Sequence, residues 1–356
     1  MQLHGGNIRE IAHKYSLKED GVLDFSSNCN PLGFPPGIRS LFHREAGTLR
    51  HYPDTPCTDL AKALAHENGV GEKNIIVGNG STELIYLIPR ALKPRVALIV
   101  NPTFGEYERS LTSMGCTIES IDLKEKTNFR INPEELIPLL SGVDILYLCN
   151  PGNPTGVLTG KDEIDSLIKA AGKRGVVVVV DEAFMDFSDN HSRAHQVRKQ
   201  KGLIILRSMT KFFGIPGLRL GYLLAPSAMT AVINLHKEPW SVNTFAQKAG
   251  IACLEDETFR VKTISFILRE RHYLFSQLAD IEGLQPYASA TNFILSKITR
   301  KGLTSAELYQ ALAKKGILVR DCRSFRGLGN KFIRVAVKKR KHNDLLISET
   351  RKIVER

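Results

Sequence analysis

The sequence predicts an α/β protein, with a mainly parallel central sheet in a large domain and a smaller α+β domain beside it. Three observations lead there. From about residue 75 to 225, short apolar runs alternate with amphipathic stretches, the signature of repeated βαβ units. Val176 to Val180 is a run of β-branched residues, apolar on both faces, which suits a strand buried inside a parallel sheet. Beyond the alternating region, a stretch from Asp256 to about Ala279 reads as one long helix bridging into a second lobe.

Taken in order, strands are predicted at 75–77, 96–100, 117–121, 145–149, 176–180, 203–206 and 218–224. Helices are predicted at 82–92, 106–114, 134–140, 161–174 and 244–254. In the second lobe the segments 292–296, 305–315, 318–320, 332–337 and 343–354 suggest a small α+β arrangement, which the N-terminal forty-odd residues join. The large domain is therefore expected over residues 45–245, and the small one over 1–44 with 246–356.

Composition narrows the class. Of 356 residues, 42% are hydrophobic and 24% charged, as in an ordinary globular protein. No apolar run approaches the ~18 residues of a membrane span, and no charged-then-apolar leader opens the chain. The six cysteines show no CxxC or histidine-rich spacing, which argues against a zinc site and for reduced thiols in the cytoplasm. The net charge of +12 is spread along the chain. Lys338-Lys339-Arg340-Lys341 is a basic cluster, yet no nucleic-acid motif accompanies it. A basic solvated surface that steers phosphorylated substrates inward is the better account.

Four segments carry chemistry, each at the carboxyl end of an apolar strand. After the strand ending at Leu206 come Ser208, Thr210 and Lys211, with Arg219 eight residues on. A half-buried lysine has a depressed pKa and enough neutral amine to form a Schiff base. Hydroxyls and a guanidinium suit a phosphate. Asp181 closes the valine run, where open α/β sheets place ligands, and facing a pyridine nitrogen it would keep that nitrogen protonated. Gly80, Ser81 and Thr82 open a helix after a glycine turn; alone this reads as an ordinary capped turn, and beside Lys211 and Asp181 it offers an anion site. Asn153, in Asn150-Pro151-Gly152-Asn153-Pro154-Thr155-Gly156, is placed to reach a ring oxygen or a substrate carboxylate. Together these point to pyridoxal 5'-phosphate, which needs an amine for its aldehyde and an anion site for its phosphate.

The ordered set Asn79-Gly80-Ser81-Thr82-Glu83, Asn153-Pro154-Thr155-Gly156, Asp181-Glu182-Ala183, Ser208-x-x-Lys211 and Arg219 resembles the fold-type-I pyridoxal-phosphate enzymes, in the branch of histidinol-phosphate aminotransferases and threonine-phosphate decarboxylases. The resemblance implies that Lys211 binds the cofactor aldehyde, Asp181 meets the pyridine nitrogen and Asn153 bonds the ring 3-oxygen. Phe104 would stack on the ring. Ser208, Arg219 and the Gly80-Ser81-Thr82 turn would hold the cofactor phosphate, with Tyr52 reaching it from the partner subunit of a homodimer. Arg334 would clamp the substrate carboxylate. One position departs from the pattern: Phe184 stands where many of these aminotransferases carry a tyrosine, so one hydrogen bond to the cofactor oxygen is missing.

Within that branch the N-terminus decides. Leu3-His4-Gly5-Gly6-Asn7 and Ser26-Ser27-Asn28-Cys29-Asn30-Pro31 resemble the decarboxylase pattern, whereas the aminotransferases generally lack the His-Gly-Gly-Asn opening. The resemblance then implies that His4, Gly5, Asn28 and Arg320 surround a substrate phosphate. The expected reaction is decarboxylation of L-threonine O-3-phosphate, with transamination of histidinol phosphate as the alternative. No metal and no nucleic-acid or membrane partner is expected.

Overall fold

The computed structural model describes residues 5–188 and 191–355. The chain opens with α1 (Ile8–Lys14), the short β1 (Leu23–Asp24), α2 (Gly37–Glu45) and α3 (Thr58–Asn68). The alternating region follows as β2 (Ile75–Asn79), α4 (Gly80–Leu92), β3 (Val96–Asn101), α5 (Glu106–Thr112), β4 (Thr117–Asp122), α6 (Pro133–Leu136), β5 (Ile145–Cys149), α7 (Lys161–Gly172), β6 (Val177–Asp181), β7 (Leu203–Ser208), α8 (Met209–Phe212), β8 (Leu220–Leu224) and α9 (Ser227–Asn234). Then come α10 (Thr244–Glu255), α11 (Glu257–Ala279), β9 (Leu284–Pro286), β10 (Phe293–Ile298), α12 (Ser305–Ala313), β11 (Ile317–Leu318), β12 (Arg320–Asp321), β13 (Phe332–Ala336) and α13 (Arg340–Val354).

Strands β2 to β8 form one seven-stranded sheet in the order β2-β8-β7-β6-β5-β3-β4. Pairings among β3 to β7 are parallel, and β8 runs antiparallel to both its neighbours. The sheet is thus mainly parallel, as predicted. Its central strands read as continuous apolar runs because helices cover both faces: Val178 and Val180 pack into one core with Leu146 and Leu148, while Val179 and Tyr147 pack into the other. The predicted strand start at Leu218 gives way to a 3-10 turn over Pro216–Leu218, with Arg219 in the left-handed region at φ 56°.

The second lobe holds the antiparallel sheet β12-β13-β10-β9, covered by α11, α12 and α13. Glu270, buried in α11, ties that layer together by accepting from Arg340 at 3.0 Å and Asn343 at 3.3 Å. The N-terminal stretch divides. Strand β1 pairs in parallel with β11, and Phe25 lies in the small-lobe core. Ile38 of α2, however, packs into the large-lobe core together with Ala246, Ala249 and Cys253 of α10. These residues cross the boundaries drawn from sequence at 44/45 and 245/246. The reason is amphipathic packing: α10 lies on α2 and α3, so its apolar face is covered there. Among the described residues no helix is long and apolar enough to cross a membrane.

Candidate active site

Strands β5, β6 and β7 end side by side, so parallel pairing alone delivers their terminal residues to one edge. Asp181 is registered opposite Cys149 on one side and Leu206 on the other. A cavity of about 880 Å³ opens at this edge. Lining it are Gly5, Asn28, Ser81, Thr82, Phe104, Asn153, Asp181, Ser208, Thr210, Lys211, Arg219, Arg320 and Arg334, all singled out from sequence.

At the floor, Asp181 is buried and both its oxygens accept hydrogen bonds: Oδ1 from the Ala183 N–H at 2.8 Å, Oδ2 from the Tyr107 hydroxyl at 2.5 Å. Burial pushes the carboxyl up, while these donors and the Lys211 charge pull it back. Lys211 sits in the single turn of α8. Its Nζ donates to Thr210 Oγ1 at 3.2 Å, and that hydroxyl lies 2.8 Å from Ser208 Oγ. Burial, offset by Cys29 and reinforced by Arg219 and Arg334, holds the amine below the ordinary lysine range. A lowered amine pKa enlarges the neutral, nucleophilic fraction that imine chemistry needs.

Next to the amine, the turn entering α4 is shaped around Arg219. Gly80 has φ 78°, and a Cβ there would lie 2.6 Å from the Arg219 guanidinium. Gly221 is equally constrained, since its Cβ would meet the Ser81 N–H nitrogen at 2.4 Å. Glycine is needed at both places for the guanidinium to reach the helix N-terminus. Backbone N–H groups, Ser81, Thr82, Ser208 and one guanidinium then converge, which is a phosphate cradle. The residues present therefore fit pyridoxal phosphate: an amine, a carboxylate and an anion seat line one cavity.

The opposite wall comes from the small lobe. Arg320 of β12 and Arg334 of β13 are cross-strand partners, and both are buried. Arg334 donates to the Asn153 side-chain oxygen and, at 3.0 Å, to the Ser26 carbonyl. Burial pulls its pKa down to about 10. Arg320 donates to Ser324 Oγ at 2.6 Å and lies over the Phe325 ring at 5.3 Å. Gly5 rests against Ser26, where a Cβ would meet the carbonyl oxygen at 2.5 Å, and the Gly6 N–H donates to Ser26 Oγ at 2.8 Å. Asn28 Oδ1 is buried without a partner among the described residues.

One expected residue lies elsewhere, and another is outside the described residues. Tyr52 is 80% exposed and stacks on Trp240 at 4.7 Å, outside its own chain's cavity. His4 lies outside the described residues. Phe184 lines the cavity and packs edge-on against Phe293 at 5.0 Å, with no hydroxyl to offer. Sequence reasoning passed over Tyr107, Cys149, Ser324 and Phe325. The spacing Phe104-x-x-Tyr107 at a helix start was a usable signal for the first, because residues three apart share a face.

Comparisons with known proteins agree with this geometry. Residues 20–349 match the model of the family described as aminotransferase class I and II. The chain is 34% identical to the threonine-phosphate decarboxylase of Salmonella typhimurium, covering 99% of this chain and 96% of that one. It superposes on the histidinol-phosphate aminotransferase of Clostridium acetobutylicum with a TM-score of 0.88 at 30% identity, over 94% of this chain and 99% of that one. For the L-threonine-O-3-phosphate decarboxylase of Porphyromonas gingivalis the TM-score is 0.84 at 26% identity, over 93% and 99%.

Proposed function

The chain belongs to the class I and II aminotransferase family, and on that premise we propose that it is a pyridoxal-phosphate carboxy-lyase. It converts L-threonine O-3-phosphate to (R)-1-amino-2-propanol O-2-phosphate and CO2, a step of cobalamin biosynthesis. One observation carries this reading: Arg320 and Arg334 stand opposite each other, both buried, on the wall facing Lys211. Like charges so placed repel, and a substrate bearing a phosphate and a carboxylate supplies an anion for each.

Bound here, pyridoxal phosphate supplies an aldehyde that captures the substrate amine and a protonated ring that takes up the electron pair of a breaking bond. Asp181 holds the proton at the ring nitrogen. The Gly80-Ser81-Thr82 turn, Ser208 and Arg219 hold the cofactor phosphate, and Phe104 covers one ring face. Asn153 has its oxygen engaged by Arg334, which leaves its amide N–H for the ring 3-oxygen. Arg334 takes the substrate carboxylate, while Arg320, Asn28 and Gly5, with His4, take the substrate phosphate. Holding both ends would fix the torsion at Cα and so select the carboxylate bond for cleavage. The Lys211 amine then returns a proton to Cα.

The enzyme works as a homodimer in this reading. Tyr52 is exposed at 80% and outside its own chain's cavity, and in this reading it reaches the partner's phosphate seat. The six unpaired cysteines suit the cytoplasm. Similarity to the Clostridium acetobutylicum structure supports the second reading, transamination of histidinol phosphate. Threonine phosphate alone should release CO2 from the holoenzyme. Turnover confined to histidinol phosphate with 2-oxoglutarate would replace the decarboxylase with the transaminase.

A further inference from the structure

Tyr107 is wholly buried in the first turn of α5, and its hydroxyl points at the most consequential carboxylate in the molecule. Its ring is wedged between Phe104, edge-on at 5.9 Å, and Tyr147, tilted at 5.2 Å. From there the hydroxyl reaches Asp181 Oδ2 at 2.5 Å, with the Cys149 thiol also within reach. Burial and the Asp181 charge drive the phenol well above its ordinary range, so the hydroxyl keeps its proton and acts as the donor. Asp181 sits in the converse situation, since burial alone would favour its neutral form. Other charged or titratable groups close to this carboxylate are Lys211 from α8 and Cys149 and Tyr147 from β5. Burial raises the Cys149 thiol to about 12, so it remains protonated and neutral. Among the described residues Tyr107 is thus the side chain that hydrogen-bonds directly to the anion, joined by the Ala183 backbone N–H.

We infer that Tyr107 is a positioning residue that keeps Asp181 ionised, so that the proton shared between carboxylate and cofactor stays on the ring nitrogen. The inference rests on the cofactor reading above. A carboxylate and a pyridine nitrogen in contact share one proton, and its location depends on which side is better solvated. In a dry site the solvation of the carboxylate is supplied by fixed donors. Removing the Tyr107 hydroxyl strips one of two, which moves the proton toward Asp181 and leaves a neutral ring, a poorer electron sink. The neighbouring Tyr147 serves as an internal control: it belongs to the same aromatic stack, is equally buried, and its hydroxyl has no partner among the described residues.

The test uses holoenzyme loaded with pyridoxal phosphate carrying ¹⁵N in the ring, read by NMR. Wild type should show the protonated-ring resonance. Tyr107→Phe should move it toward the unprotonated position and lower kcat roughly 10- to 100-fold, the range for losing a hydrogen bond to a charged group. Tyr147→Phe should leave the resonance in place. If Phe prevents folding, 4-fluorophenylalanine at position 107 fills the hydroxyl's place without donating, and the same displacement is expected. An unmoved ¹⁵N resonance in the position-107 variants, or an equal displacement in Tyr147→Phe, overturns the inference, whatever happens to activity. A wild-type protein that never binds the cofactor covalently would instead overturn the cofactor reading on which it stands.

Discussion

The floor of the cavity comes from the carboxyl ends of parallel strands, and its far wall from an antiparallel pair in the other lobe. On the floor, opposite charges are brought together: Asp181 and Lys211 face one space, and each is held by local donors and hydroxyls. On the wall, like charges are brought together: Arg320 and Arg334 are cross-strand partners. The floor is nearly self-sufficient, because its groups offset one another's burial. The wall pairs two buried cations whose like charges repel, and arriving anions would offset that repulsion. The floor is therefore suited to a resident cofactor and the wall to a substrate that comes and goes.

The largest effect should come from the floor. Lys211→Ala removes both the covalent attachment point and the proton donor, so activity should fall by roughly 10²- to 10⁴-fold or more, the range for a positioned acid–base group. Borohydride reduction, which bleaches the yellow band of wild type and leaves the cofactor covalently fixed, should then fix none. A variant that still retains cofactor on the chain after reduction would mean another amine holds it.

The two arginines should then separate. Arg334→Ala is expected to cost roughly 2–5 kcal/mol in kcat/KM, as for truncating one partner of a buried charge pair, with any α-carboxylate substrate. Arg320→Ala should cost a similar amount only when the substrate is phosphorylated. Comparing threonine phosphate with threonine checks this, and equal losses from Arg320→Ala on both would remove the phosphate assignment.

The smallest effect concerns stability in the cofactor-free protein. The folded-state pKa of Lys211 lies below its ordinary value. At pH below the folded value the lysine is protonated in both states and its burial opposes folding fully. As pH climbs from there toward the unfolded value near ~10.4, the folded chain sheds the proton first and stability rises. Lys211→Met should abolish this rise, so its melting temperature should exceed that of wild type most at the acid end of that window and converge toward the alkaline end. A gap constant across the window would show that the amine is not held down by burial.

Much of the floor was legible in the chain because its residues lie in short contiguous segments. A strand, a turn and a reactive side chain are adjacent in sequence at Val180-Asp181, Ser208 to Lys211 and Gly78 to Thr82. Parallel pairing does the rest, since it carries every strand end to the same edge. The reversal of β8 was not legible, because an apolar run reads the same in either direction. The helices α1, α2, α3 and α9 were also passed over, although Leu60 and Leu64 sit four apart as one face of α3. Lobe membership of α2 and α10 depends on which surface their apolar faces find, and periodicity is silent on that.

Composition and pattern by themselves determined the fold class, the order of the sheet-forming segments, and the amine, acid and glycine turn at their ends. These follow from local physics: β-branched runs seek a covered sheet, and glycine is placed where a side chain would collide. Tertiary structure alone decided that Tyr107 reaches Asp181 across 74 residues, that Arg320 and Arg334 share a register, and that Tyr52 turns away from its own cavity. Each of these is a distance between segments remote in the chain, set by how two lobes and their layers pack rather than by any residue's own preference.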